Sequence, residues 1–176
     1  VTVPENTAQA LNKAMMEAVE FVHAEGWDAA PTLFALVPTR LLADQLADPD
    51  EAAPLTLVVQ DLPEHILPGS DELGDYLSRL AWPELVGGVV LAQEIMFRDS
   101  ADPTLADARP ARLFSGVLRE EGVELTLLQL RPTEEELEEG GAFAEDNIEL
   151  RGGPDVAPGV LQALRFGLEQ DPDPVD

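Results

Sequence analysis

The stretch Ala111-Arg112-Leu113-Phe114-Ser115-Gly116-Val117-Leu118-Arg119, Glu120-Glu121-Gly122, Val123-Glu124-Leu125-Thr126-Leu127-Leu128-Gln129-Leu130-Arg131 decides the fold. Two strand-like runs flank three residues that end in Gly. That spacing predicts an antiparallel hairpin closed by a type I turn and a G1 bulge. In this register Arg119 faces Val123, Val117 faces Leu125, Ser115 faces Leu127 and Leu113 faces Gln129. Leu118 with Glu124, Gly116 with Thr126, Phe114 with Leu128, and Arg112 with Leu130 form the other set. Both faces then carry several large apolar side chains, whereas a sheet covered on one side alternates apolar with polar. Something has to cover the second face: the remaining helices, another copy of the chain, or a partner. An open apolar patch beyond about 400 Å² is a liability. The expectation is therefore a protein-facing sheet surface that includes Phe114 and Leu128, most simply in a homodimer.

Upstream of the hairpin, Gly87-Gly88 leads into a strand from Val89 to Phe97. Two further apolar runs, Thr32 to Val37 and Leu55 to Val59, read as buried strands. Residues 6–25 read as an amphipathic helix, with Leu11, Ala14, Met15, Ala18 and Val22 on one stripe. Asn6 with Gln9 suggests a capping box, and Gly26 a left-handed cap at the far end. Thr39 is placed to cap a short helix from Arg40 to Ala47. Ser70 caps another, with Asp71 and Glu72 in its first turn and Leu73, Tyr76, Leu77 and Leu80 as its stripe. A last helix starts at Asp155 and Pro158 and buries Ala157, Val160, Leu161, Leu164 and Leu168. The order α, β, (short α), β, α, β, β, β, α predicts an α+β domain. Its sheet is mostly antiparallel, of about five strands, with helices packed chiefly on one face.

The chain has 176 residues, 35 acidic and 10 basic, for a net charge of −25. That length suits one domain, here residues 1–170. Residues 133–149 hold eight acids and no base, and read as an acidic mobile loop with a frayed helical turn. Residues 169–176 read as an acidic disordered tail. Without these segments the body still carries −13, so the acidity is not confined to them. A surface of this sign repels phosphate backbones and anionic membrane, which argues against nucleic-acid or membrane partners. No apolar run reaches the roughly 20 residues that span a bilayer. The covered N-terminus has no basic segment followed by an apolar one, so the expected compartment is the cytoplasm.

The chemistry is decided largely by what is missing. There is no Cys, and the only Lys is Lys13, within a predicted helix. The pairs Gly87-Gly88, Gly140-Gly141 and Gly152-Gly153 fit neither GxxxxGK[ST] nor GxGxxG. None of Ser70, Ser78, Ser100 and Ser115 lies in GxSxG. Glu17, Glu20 and His23 share one helix, and Glu20-x-x-His23 is a di-iron half-site unit. His65, in a Pro-flanked loop, cannot complete it, so a solvated acidic helix face is the preferred reading. No cofactor and no metal are expected.

Glu94 stands on the apolar parity of Val90, Ala92 and Met96. A half-buried carboxylate needs a partner, and Arg112 and Arg119 on the next strand are the candidates. A structural ion pair is the first reading, and an acid/base or ligand-anchoring role the second. Trp27 and Trp82, the only two Trp, each follow a helix. They read first as packing residues and second as binding anchors.

Several segments carry a family resemblance: Gly26-Trp27-Asp28, Leu33-Phe34-Ala35-Leu36-Val37 with Thr39, Ala53-Pro54-Leu55-Thr56, and Gln60-Asp61-Leu62-Pro63. Leu80-Ala81-Trp82-Pro83 with Gly87 and Glu94, Val117-Leu118-Arg119 before Gly122, and Pro158-Gly159 before Ala163-Leu164 add to it. Together these resemble a family of uncharacterised actinobacterial proteins of similar length, from about residue 6 to about residue 168. The resemblance implies an actinobacterial cytoplasmic protein and attributes the single Lys to genome composition. It carries no activity, cofactor or catalytic residue. Two function classes follow from the residues. The first is a non-enzymatic protein-binding or adaptor module acting through an apolar sheet surface. The second is a small-ligand binder or enzyme with one pocket near Glu94, Arg119, Trp27 and Trp82. The second requires those four to converge on a single cleft.

Overall fold

The computed structural model describes residues 7–39, 54–60, 62, 66–67, 70–83, 85–97, 109–120, 123–131, 134–140, 151–152 and 158–169. The expected short helix at 40–47, the Asn6 cap, the Glu121-Gly122 bulge, most of the acidic loop and the tail beyond 169 lie outside these residues.

The first helix, α1 (Ala8–Glu25), buries the stripe its periodicity predicts, together with Ala10 and Val19. Its N-cap is Thr7, whose hydroxyl accepts the Ala10 N–H at 3.2 Å. This is one residue later than Asn6, because Thr7 is the position with extended backbone. Gly26 closes the helix at φ +92° and ψ 175°, so it uses glycine's freedom without the left-handed helical geometry expected. Asp28 follows at φ +67°. Two positive-φ residues therefore bracket Trp27 and swing the chain toward β1 (Thr32–Pro38).

The sheet holds β1, β2 (Leu55–Gln60), β3 (Gly88–Phe97), β4 (Arg109–Leu118), β5 (Glu124–Leu130) and the two-residue β6 (Arg151–Gly152). The spatial order is β2-β1-β3-β4-β5-β6, and every neighbouring pair is antiparallel. The α+β class and the antiparallel sheet are those expected from the sequence. Since β2 and β3 flank β1, the chain crosses over between them, and α2 (Asp71–Arg79) lies in that crossing. Ser70 caps α2 by accepting the Leu73 N–H at 3.2 Å. Within the acidic stretch, α3 (Glu134–Gly140) is helical, and α4 (Pro158–Glu169) is the last element.

The hairpin forms, but its register differs by one residue. Val117 pairs with Glu124, Ser115 with Thr126, Phe114 with Leu127, Leu113 with Leu128 and Arg112 with Gln129. Leu118 N–H donates to the Val123 carbonyl at 3.0 Å, so the loop is the four residues 119–122 rather than three. One extra loop residue moves every β5 side chain to the other face. The burial explains the choice. In the expected register Glu124 would share the face of Phe114 and Leu118, beneath α1. In the observed one Leu125 and Leu127 take that place, and Glu124 sits near solvent, 3.5 Å from Arg165.

Helices cover both faces of the sheet rather than chiefly one. On the first face, Leu11, Met15, Ala18 and Val22 of α1 pack on Phe34, Leu36, Leu55, Val90, Ala92, Phe114 and Leu118. On the second, Leu73 and Leu77 of α2 and Leu161, Leu164 and Leu168 of α4 pack on Leu33, Ala35, Val89, Leu91 and Val117. Each fully buried Leu, Met or Phe contributes about 1.5–3 kcal/mol, so both layers are needed for stability. Over β1, β3 and Val117 of β4 the second apolar face is thus covered by the chain's own helices, while Ala111, Leu113 and Leu128 form a separate buried cluster farther along it.

Candidate functional site

The proposed site residues fall into two groups on opposite faces. Trp27, Glu94 and Arg112 meet on the α1 face. The positive-φ turn lays the Trp27 ring against the Arg112 guanidinium, 3.9 Å from its centroid. Arg131 stands 5.4 Å from the same ring and holds Asp28 at 3.0 and 3.3 Å. Arg112 is 1% exposed. Its Nη1 donates to Gln129 Oε1 at 3.1 Å and lies 3.4 Å from His23 Nδ1. Its Nε and Nη2 are buried without a hydrogen bond. Glu94 is the cross-strand neighbour of Arg112, but among the described residues the expected ion pair does not join them, and Arg112 Nε and Nη2 stay without a partner. It accepts the Ala29 N–H at 2.6 Å, which pins the segment after the turn. Burial pushes the Arg112 guanidinium below its usual pKa; Glu94 opposes the shift and Arg131 adds to it. This is a packed cation over an aromatic ring.

Trp82 and Arg119 meet on the other face. Arg119 Nε donates to the Val86 carbonyl at 2.6 Å, and Nη2 to those of Trp82 and Pro83 at 3.0 and 2.8 Å. Nη1 donates to the carbonyl of Leu168, in the last turn of α4. A cation there satisfies carbonyls the helix leaves open. Arg119 therefore ties α4 to the chain after α2. It is not the Glu94 partner. The four residues of the one-pocket reading do not converge.

Phe114 and Leu128 are both core residues. Phe114 packs under α1, and Leu128 packs with Ala111 and Leu113 on the opposite face. The expectation that they form a docking surface is corrected by the chain's own cover. An Asp at Phe114 would report on folding, not on binding.

The site the sequence reading passed over is the sheet edge at β2. Among the described residues no strand pairs with its outer side. Thr39 N–H donates to the Pro54 carbonyl at 3.0 Å, the first rung of the β1–β2 ladder. By antiparallel alternation, Thr56, Val58 and Gln60 direct their backbone groups at β1, and Leu55, Leu57 and Val59 direct theirs outward. Clefts lie on both sides of this edge. One, of about 510 Å³, is lined by Val58, Tyr76, Leu80, Trp82, Pro83 and Leu85 among others. The second, of about 390 Å³ on the α1 face, is lined by Glu17, Phe21, Phe34, Leu55, Thr56, Leu57 and Val59. Val58 and Val59 are 40% and 47% exposed. Natural edges are usually blunted by charge, Pro or a bulge. The six residues Leu55-Thr56-Leu57-Val58-Val59-Gln60 contain no charge and no Pro. That was the available signal, but it identifies an exposed edge only once the strand order is known.

Among the described residues no three His, Asp or Glu side chains are grouped to hold a metal ion. Among the same residues no helix is long and apolar enough to cross a membrane. A family model described as PPA1309-like protein matches residues 11–169. No curated protein and no solved structure matches the chain.

Proposed function

The chain belongs to the PPA1309-like protein family, and we propose that it is a non-enzymatic protein-binding module that takes an extended segment of another protein along β2. One observation carries this reading: an uncharged strand edge with outward backbone groups, set between two clefts, one largely apolar and one that also holds the Glu17 carboxylate. Added strands of this kind gain affinity from main-chain hydrogen bonds, and specificity from pockets for alternate side chains. The clefts lie one on each side of the edge, as such alternation requires. The proposed surface is the sheet edge rather than the sheet face.

The test uses short random linear peptides displayed on phage and panned against the purified protein. Enriched peptides are expected to slow deuterium exchange at the Leu57 and Val59 amides and to lose binding to V59P. That change removes an outward donor and leaves the rungs to β1 in place. Enriched peptides that leave those amides unprotected, or that bind V59P unchanged, would refute the proposal. So would a wild-type dimer, seen in sedimentation, that V59P dissolves, since the occupant would then be a second copy.

A further inference from the structure

We infer that the segment received at β2 is basic, with a Lys or Arg directed at Glu17 and aliphatic side chains directed into the opposite cleft. This rests on the edge reading above and adds the chemistry of the partner. Glu17 lines the α1-face cleft together with Phe21, Phe34, Leu57 and Val59. Among the described residues no donor reaches its carboxylate by a hydrogen bond. Lys13, one turn earlier on α1, favours its charged form, and Glu20, nearly one turn later, disfavours it. Burial is the larger influence and raises the Glu17 pKa above the ordinary carboxylate value. A carboxylate held in an apolar groove gains most from a cation that arrives as the groove closes.

The other cleft is different in kind. Apart from Gln60, the Tyr76 hydroxyl and the Trp82 indole N–H, its side chains are apolar, among them Leu33, Ala35, Val37, Val58, Leu80 and Leu85. Successive side chains of a docked strand point alternately to the two clefts. The occupant therefore has aliphatic residues at every second position and at least one basic residue on the intervening set. The net charge of −25 selects in the same direction. It draws a basic segment in and repels a second copy of this chain.

Three synthetic peptides test this, each a Val/Thr-alternating strand carrying Lys, norleucine or Glu at the same central position. Binding is read by fluorescence anisotropy to wild type, E17Q and V59P. The Lys peptide is expected to bind wild type roughly threefold to tenfold more tightly than the norleucine peptide, and the Glu peptide least. In E17Q the Lys advantage over norleucine disappears, and in V59P all three lose affinity. If norleucine matches Lys on wild type, or E17Q keeps the Lys preference, while V59P still abolishes binding, the basic partner is refuted and the edge reading stands. If V59P binds all three as wild type does, or no peptide binds, both are refuted. Should V59P not fold, exchange of the Leu57 and Val59 amides in wild type replaces it: protection by the peptides supports the edge, and unchanged exchange refutes it.

Discussion

Replacing Arg119 by Met should destabilise the protein more than replacing Arg112 by Met, although Arg112 is the more deeply buried. Arg119 donates to four backbone carbonyls, of Val86, Trp82, Pro83 and Leu168. Hydrogen bonds from a charged donor contribute about 1.5–3 kcal/mol each, but they share one side chain and do not add. Pro83 is exposed and can be rehydrated, so the net loss for R119M is about 2–4 kcal/mol. For a chain of this size that lowers Tm by about 5–15 °C. Arg112 is a buried cation whose Nε and Nη2 have no hydrogen bond. Its Gln129 bond and its contact with Trp27 are lost in R112M, at about 2–5 kcal/mol together. Against this, R112M relieves two unsatisfied donors and a desolvated charge, worth several kcal/mol in the other direction. R112M also strands the buried Gln129 Oε1 and leaves Glu94 without its neighbouring cation, so the net change is expected to be a loss smaller than that of R119M. Urea unfolding followed by Trp fluorescence and far-UV circular dichroism reads both. An R112M midpoint below that of R119M, with equal m-values, would refute the argument that bond satisfaction outweighs burial here.

Two further outcomes follow from the packing and the charge. A Cβ at Gly88 would lie 2.5 Å from the Val117 carbonyl oxygen, and one at Gly116 would lie 2.6 Å from the Met15 sulfur. Backbone cannot move aside as a Met tip can, so G88A should cost about 1–3 kcal/mol and G116A less; thermal melts of the two variants check the order. Burial raises the Glu17 pKa in the folded state, so folding binds more protons there than the unfolded chain does. Stability should fall as pH rises through the range just above the ordinary carboxylate value, and E17Q should gain on wild type at neutral pH. In urea titrations across pH that gain should vanish once the wild-type carboxyl is protonated; a gain independent of pH would refute the assignment.

Much of the fold was legible because it is written locally. The α1 stripe, the Ser70 cap and the strands at 32–38, 55–60 and 88–97 depend on residues within a turn or two of one another. The Glu94–Arg112 neighbourhood was legible for a related reason: both positions lie on strands adjacent in sequence order. The hairpin register was not. Gly122 favoured a three-residue loop, but burying Leu125 and Leu127 in place of Glu124 decided for four. Arg119 was misassigned because its carbonyl partners, on Trp82, Pro83, Val86 and Leu168, lie 33 to 49 residues away. Backbone acceptors leave no trace in side-chain identity.

The amino-acid sequence by itself determined the class of each main element, the α+β character and the strong negative charge. All three follow from short-range periodicity and composition. Only the tertiary structure decided that α2 and α4 cover the second face over β1 and β3, that Phe114 and Leu128 are interior, and that β2 is an edge whose outer side no strand pairs with among the described residues. Those are matters of strand order and register, set by contacts between segments far apart in the chain. A one-residue shift there exchanges inside for outside without changing any local pattern.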